Sequence, residues 1–287
     1  MPELTVLMAV RNGEPYLKAA VESILGQTYT DFTFLIIDDE STDNTRDVVC
    51  SYDDPRIRLL TLEKNIGQTA ALNRALQETK TEWIARMDAD DYSAPKRFET
   101  QMRAAMSDKE LGCIGTFAWT FRENPSIVES RLEKPVGNAA IQSALLWSAP
   151  IIHGSIVART QVMREAGGYN EQYRYSADLD LYDRLLDRCK AENVAEPLLG
   201  IRRHAGQDSH SVKAIRESID IFNQRLATGR YSSKETAVVQ AAKYLHEALC
   251  ARFESRHLDT FTNVAHAFWW SPSLTLAHVV PGRARTA

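Results

Sequence analysis

The sequence predicts an α/β fold, a mostly parallel sheet flanked by helices and followed by a C-terminal helical extension. Three observations predict it. Residues 4–10 form a near-continuous apolar run, the mark of a strand buried on both faces. Comparable short runs recur as far as Met87 with helical segments between them. From Val212 onward only helical periodicity remains.

After the first strand, Asn12-Gly13 turns the chain and Pro15 suits a first helical position. Leu17, Val21, Ile24 and Leu25 then share one helical face, and Gly26 stops the helix. A second strand is expected over 32–37, ending in Asp38-Asp39. Ser41-Thr42-Asp43-Asn44 supplies capping residues for a helix through Val48 and Val49. Residues 57–62 read as a third strand, Asn65 and Gly67 open a helix carrying Leu72 and Leu76, and residues 82–87 read as a fourth strand ending in Asp88-Ala89-Asp90-Asp91. Beyond Pro95 the pattern predicts a helix over 96–106, a strand over 111–121 and a looped stretch to Pro150. A strand over 151–158, a turn at Gly167-Gly168-Tyr169 and a helix over 178–189 follow. Ile215, Ile219, Phe222 and Leu226 mark one C-terminal helix. Val238, Ala242, Leu245 and Leu249 mark a second, and Phe261, Val264, Ala265 and Phe268 a third. The organisation expected is one α/β domain over residues 1–210 and a helical extension over 211–287.

A chain of 287 residues with 44% apolar and 25% charged residues is too long for a small module and too apolar for disorder. Thirty-four Lys and Arg against 38 Asp and Glu give a net charge of −4, which argues against a nucleic-acid partner. Cys50, Cys113, Cys189 and Cys250 lie far apart, with neither metal-site nor disulfide spacing, and read as reduced thiols in a cytoplasmic setting. The first apolar run lacks a basic flank and a cleavage site, so no export signal is expected. The longest apolar stretch, 264–280, is broken by two His, Ser and Pro272, so no bilayer span is expected either.

Several chemistries lack their motifs. No G-x-G-x-x-G follows the first strand, no G-x-x-x-x-G-K-[ST] occurs, and no G-x-S-x-G elbow or second metalloprotease histidine is present. What remains is two acidic clusters at strand carboxyl ends, where open α/β sheets bind ligands. Asp88 and Asp90, two residues apart, can converge on one side of a loop, and a hard divalent cation would resolve their repulsion. The alternative for that cluster is a solvated acidic turn. For Asp38-Asp39 the alternatives are a helix cap, where acids suit the dipole, or acceptance of hydrogen bonds from a base ring.

Taken together and in order, these segments resemble family 2 glycosyltransferases of the GT-A (Rossmann-like) fold. The resemblance runs through Val6 to Asn12, Ser23 to Thr28, Ile37 to Thr45, Asn65-Ile66-Gly67 with Ala71-Leu72-Asn73, and Arg86-Met87-Asp88-Ala89-Asp90-Asp91. It is strong over residues 4 to 100 and weaker to about 210, through His153-Gly154-Ser155, Gly167-Gly168-Tyr169 and Asp178 to Arg184. It implies an inverting, metal-dependent transfer of a sugar from a nucleotide-diphosphate donor, a UDP-sugar above all, to a hydroxyl of a carbohydrate or lipid-linked acceptor. The setting it suggests is bacterial surface polysaccharide assembly. Position by position, the resemblance implies that Asp39 binds the base and that Ala9 and Arg11 line its pocket. It places Asn65, Gly67 and Asn73 along the nucleotide. Asp90 would ligate Mn²⁺ or Mg²⁺, and Asp88 would contact ribose or metal. Where the family often has Glu-Asp this chain has Ala177-Asp178, leaving Asp178 as the matching base. Arg202-Arg203-His204, with Gln207 and Ser209, resembles a late segment that folds over the diphosphate, with His204 a metal ligand or a surface histidine.

Asp178 is expected at a helix start, where the dipole favours an ionised carboxylate. Helical spacing turns Asp180 away from it, and a change at Asp183 is expected to cost little. Two other readings stay open: a non-catalytic sugar-nucleotide-binding protein, and an aspartyl phosphatase with Asp88 as nucleophile. At the far end Phe261, Phe268, Trp269, Trp270, Leu274 and Leu276, followed by Arg283 and Arg285, have two readings. Packing on the α/β domain is the favoured one, and peripheral contact with a membrane the other.

Overall fold

The computed structural model describes residues 3–204 and 211–279. Strand β1 (Leu4–Val10), helix α1 (Glu14–Leu25), β2 (Phe32–Asp38), α2 (Thr45–Cys50), β3 (Ile57–Thr61), α3 (Gln68–Glu78) and β4 (Trp83–Arg86) follow one another as the alternation predicts. Then come β5 (Tyr92–Ser93), α4 (Arg97–Ser107), β6 (Leu111–Phe121), β7 (Ser130–Leu132), α5 (Asn138–Leu145), β8 (Val157–Arg159), α6 (Thr160–Glu165), α7 (Ala177–Leu185) and β9 (Lys190–Arg202). Helices α8 (Val212–Ala227), α9 (Ser233–Phe253), α10 (His257–Trp270) and α11 (Pro272–Val279) complete the chain.

These strands form one sheet in the order β3-β2-β1-β4-β8-β6-β9-β5, with β7 paired to β6. Strands β1 to β4, β6 and β9 run one way, and β5, β7 and β8 run against them. The mostly parallel sheet expected from the sequence is therefore present. Alternate residues of β1 feed two cores, which is why its sequence is apolar throughout. Leu4, Val6, Met8 and Val10 pack with Leu17, Val21 and Ile24 of α1, whereas Leu7 packs with Leu72 and Leu76 of α3. The second core also takes in Ile221 and Phe222 of α8 and Val239 and Ala242 of α9, so these two helices of the extension are built into the α/β body.

Three expected elements are corrected, and one strand was not expected at all. The stretch to Pro150 contains β7 and α5. The strand expected over 151–158 starts only at Val157, because His153–Ser155 forms a 3-10 turn. The helix expected to reach Cys189 ends at Leu185. Most consequential, the sequence pattern does not announce β9. Its polar Glu192, Asn193 and Glu196 and its Pro197 break the apolar run, and its register against β6 shifts between Thr116 and Ala118. A strand that bulges and leaves its proline exposed loses the alternation by which strands are recognised. The C-terminal aromatics are also not buried: Phe261 is 75% exposed and Trp269 84%.

Candidate active site

A cleft of about 610 Å³ opens where β1, β2 and β4 end. Its wall brings together Ala9, Arg11, Asp39, Asn65, Gly67, Asp88, Asp90 and His204, all expected from the sequence to share a site. Tyr16, Gln68, Arg174 and Tyr175 line it as well and were not anticipated.

Asp39 is buried, and its two carboxylate oxygens accept the backbone N–H groups of Ile66, at 2.7 Å, and Gly67, at 2.9 Å. It thereby fixes the loop that enters α3, and a carboxylate still has lone pairs to offer a ligand in the cleft. Its neighbour Asp38 is engaged elsewhere, pairing with Arg46 and accepting the Ser41 N–H. The sequence cluster thus divides into one structural acid and one facing the cleft.

The second cluster sits on buried cations. Arg86 is buried at the end of β4 and grips Asp88 with both terminal nitrogens, at 2.5 and 2.6 Å. Arg97, fully buried on α4, donates to the Arg86 carbonyl at 2.8 Å; burial pulls its pKa down to about 9, against the field of Asp91. Asp91 accepts the Arg202 N–H. Burial, then the charges of Asp88 and Asp90, push its carboxyl well above the usual aspartate range. Burial and the Asp88 charge push Asp90 up too, while His204, its Nε2 2.9 Å from Asp90 Oδ2, pulls it back. Three carboxylates are thus held against their own repulsion, with two guanidinium groups beneath them. At Gly154, in the His-Gly-Ser motif, a Cβ would lie 2.9 Å from Leu199, 3.3 Å from Asp88 and 3.4 Å from Asp91, so the backbone passes close under the cluster.

Strand β9 delivers His204. Arg202, at its end, donates to the Asp90 carbonyl and to those of Arg122 and Glu123. It also stacks on Tyr16, whose ring meets the His204 ring at 4.8 Å. Gln207 and Ser209, expected beside it, lie outside the described residues. Among the described residues no group of three or more His, Cys, Asp or Glu is placed to enclose a metal ion. Asp90 and His204 supply a two-donor edge, which fits a hard cation that takes most of its oxygens from phosphate and water.

Two expected residues do not line the cleft. Asn73 is corrected: one and a half turns beyond Gln68, its carboxamide accepts the Tyr169 N–H at 2.8 Å and donates to Tyr169 O and Glu171. It pins α3 to the Gly167-Gly168-Tyr169 turn, where Gly168 has φ +67 and a Cβ would come within 2.6 Å of Asn73 Oδ1. Asp178, in the first turn of α7, lies just after the lining pair Arg174-Tyr175, and the charges of Lys134 and Arg86 reach its carboxyl. Burial raises its pKa, against the Leu179 N–H and those two cations. The helix start thus does not dominate its ionisation. Ala177, where the family often has Glu, is packed in the core.

The Arg174 loop is held from the extension. Glu217 of α8 accepts three successive backbone N–H groups, those of Arg174 (3.1 Å), Tyr175 (2.7 Å) and Ser176 (2.8 Å). Nothing in the sequence pairs residue 217 with residues 174–176; the signal is purely tertiary.

A model of the family described as Glycosyl transferase family 2 matches residues 5–166. The O-antigen biosynthesis glycosyltransferase WbnJ of Escherichia coli is 32% identical over 221 residues, 75% of this chain and 85% of that protein. The E. coli UDP-Glc:alpha-D-GlcNAc-diphosphoundecaprenol beta-1,3-glucosyltransferase WfgD is 37% identical over 114 residues, 40% of this chain and 45% of that protein. Among solved structures, S. aureus TarS 1–349 in complex with UDP-GlcNAc superposes with a TM-score of 0.70 at 15% identity, covering 96% of this chain and 83% of that one. The mannosyltransferase PcManGT from Pyrobaculum calidifontis, in complex with GDP-Man and Mn²⁺, gives 0.67 at 17% identity, covering 99% and 82%. At these identities the two structures speak for the fold.

Proposed function

The chain belongs to glycosyl transferase family 2, and from that premise we propose that it moves a sugar, with inversion, from a UDP-sugar to a hydroxyl of a carbohydrate or lipid-linked acceptor in surface polysaccharide assembly. The observation that carries this is the single cleft in which Asp39, Asp88, Asp90 and His204 converge although the sequence spreads them over more than 160 residues. WbnJ is by its name an O-antigen biosynthesis enzyme, and WfgD by its name takes UDP-Glc as donor and a diphosphoundecaprenol-linked GlcNAc as acceptor.

In this reading Asp39 accepts from the base while its backbone bonds hold the Ile66–Gly67 loop against the nucleoside, and Ala9 and Arg11 flank the same pocket. Asn65 and Gly67 border the ribose side. Asp88, oriented by Arg86, receives ribose or faces the metal. Asp90 and His204 would hold Mn²⁺ or Mg²⁺, which when bound neutralises charge on the diphosphate. Residues 1–210 form the catalytic unit, and residues 211–287 the extension that braces it. Asp178 takes the acceptor proton as the hydroxyl attacks the anomeric carbon. Tyr175 and Arg174 wall the cleft, limiting the water that would turn transfer into hydrolysis.

The test is a panel of radiolabelled sugar nucleotides with glycan and polyprenyl-diphosphate acceptors. One donor should give an acceptor-linked product of inverted configuration. Tight donor binding without product, across acceptors, would favour the non-catalytic reading, and a phosphoryl group trapped on Asp88 the phosphatase.

The Glu217 clamp gives a second expected result. Glu217→Gln replaces one accepting oxygen by a donor that opposes the Arg174–Ser176 N–H groups. Catalytic efficiency toward the acceptor should fall by up to about 10²-fold, the scale on which a displaced site wall is felt. UDP affinity measured by calorimetry should stay unchanged, since residues 9, 11 and 39 are not touched. Equal losses of UDP affinity and efficiency would show that Glu217 supports the fold at large.

A further inference from the structure

We propose that Lys134 is a further catalytic residue of the transfer: held on the Ala149 carbonyl beside the first turn of α7, its ammonium binds the acceptor oxygen next to the hydroxyl that Asp178 deprotonates. The proposal rests on the reading of Asp178 as the base and deepens it by naming the acceptor's second contact.

Lys134 lies between β7 and α5, and a frame of hydrogen bonds carries it toward Asp178. Its Nζ donates to the Ala149 carbonyl at 2.7 Å. One buried side chain fixes the residue after each of these two: Asn193 of β9 donates to the Pro135 carbonyl at 2.7 Å and to the Pro150 carbonyl at 3.0 Å. From the other side, the buried Arg225 guanidinium donates to Leu145 O at 2.6 Å and to Leu179 O at 3.2 Å. It thereby joins the end of α5, just before Ala149, to the residue that follows Asp178. The two side chains come within reach of each other's charge, and both are half-buried, so neither is sealed from a substrate.

The pair leaves room for a third group. An ammonium has three N–H donors, and among the described residues Lys134 spends one. A half-buried cation with donors left over costs free energy unless something accepts them. Asp178 accepts the Leu179 N–H, and among the described residues the carboxylate and the ammonium do not close into a salt bridge. A pyranose offers what such a pair takes: on adjacent carbons, a hydroxyl that donates to the carboxylate and an oxygen that accepts from the ammonium. As the hydroxyl oxygen bonds the anomeric carbon, the bond from that carbon to the diphosphate breaks with its electron pair, and the hydroxyl proton passes to Asp178. Lys134 stays protonated and selects which hydroxyl reaches the base. The other charged or titratable groups felt by Asp178 are engaged or sealed. Arg86 spends both terminal nitrogens on Asp88, Tyr169 is bonded to His153, and Tyr182 is fully buried.

Lys134→Met keeps the length of the stem and removes the donors, and Lys134→Arg keeps the charge. The acceptors are octyl glycosides and polyprenyl-diphosphate sugars, each with its single-deoxy analogues. In Lys134→Met the acceptor KM should rise by roughly 10- to 100-fold, the loss of one hydrogen bond from a charged group. UDP affinity should match the parent, since Lys134 does not line the nucleotide cleft. The lost cation had favoured the ionised carboxylate, so the acid limb of kcat should move to higher pH, and Lys134→Arg should restore it. A fall in Tm alone, with acceptor KM and acid limb as in the parent, would make Lys134 a tie of the Ala149 segment and overturn the proposal. Should Lys134→Met not fold, the parent decides: deleting the oxygen next to the attacked hydroxyl should cost the same 10- to 100-fold, and indifference to every single deoxygenation would overturn the proposal. Asp178→Asn keeps the two readings apart. An inactive Asp178→Asn beside an unaffected Lys134→Met rejects Lys134 alone, whereas an active Asp178→Asn rejects the base and Lys134 with it.

Discussion

Replacing Asp178 with asparagine is expected to lower turnover by roughly 10²- to 10⁴-fold, the contribution of a positioned general base, while UDP affinity is preserved. Asparagine keeps the shape and the bond to the Leu179 N–H but cannot take a proton. The structure narrows the choice among the three acids of α7. Asp180 is bound by Arg184, whose other nitrogen donates to the Gly168 carbonyl. Asp183 faces the buried Arg225 at 3.1 Å and also binds Arg230 and Tyr231. A change at Asp183 is expected to cost little turnover, while removing its charge takes the counter-charge from a buried guanidinium and should lower stability. Asp178 makes no ion pair among the described residues and remains available for a proton.

The pH dependence has a definite sign. A base works ionised, so activity should fall as pH drops through the Asp178 pKa. Because burial raises that pKa, the acid limb should lie above the ordinary aspartate value. The same shift means that the folded state favours the protonated form, so this group stabilises the fold at low pH and loses that contribution as pH rises through its folded value. Asp178→Asn should accordingly leave Tm at neutral pH unchanged or higher. Near-normal turnover of the variant with the true acceptor would place the base elsewhere.

Asp90→Ala is expected to erase the metal-dependent part of UDP affinity. In the parent protein, titration in Mn²⁺ should be tighter than in EDTA by roughly tenfold or more, the scale on which groups that ligate or orient a metal are felt. In the variant the two titrations should coincide. The fold should survive, because Arg202 holds this loop through the Asp90 backbone carbonyl and through Asp91, not through the Asp90 side chain. Removing one of three crowded carboxylates also relieves repulsion. Equal parental affinity in Mn²⁺ and EDTA would remove the metal role from Asp90 and His204 together.

Within the candidate site, legibility follows sequence separation. Asp39, Asp88 and Asp90 were readable because each ends a strand of a regular alternation, and a strand end has a known place in such a sheet. Gly154 was readable as part of a motif, though its place close under Leu199 and Asp88 was not. Tyr16, Glu217 and Arg174 carry no local signal at all. Asn73 shows the converse: it lies beside the nucleotide-loop motif in sequence, yet a turn and a half of helix carries it to another partner.

By itself the sequence determined what short-range physics determines. Apolar runs of four to seven residues, helical faces and turn residues fix β1 through β4 and the helices between them, since each depends on neighbours within about four residues. It likewise determined that carboxylates crowd two strand ends. The tertiary structure alone decided how those ends are completed. His204 meets Asp90 across 114 residues because β9, irregular in sequence, pairs with β6 and β5. Glu217 reaches the Arg174 loop because α8 shares a core with α7. Burial in that core sets the ionisation of Asp178 against the pull of its helix start. Contacts of this kind are selected by the packing of whole elements, and desolvation depends on everything that surrounds a group, so neither is written in any local stretch of the chain.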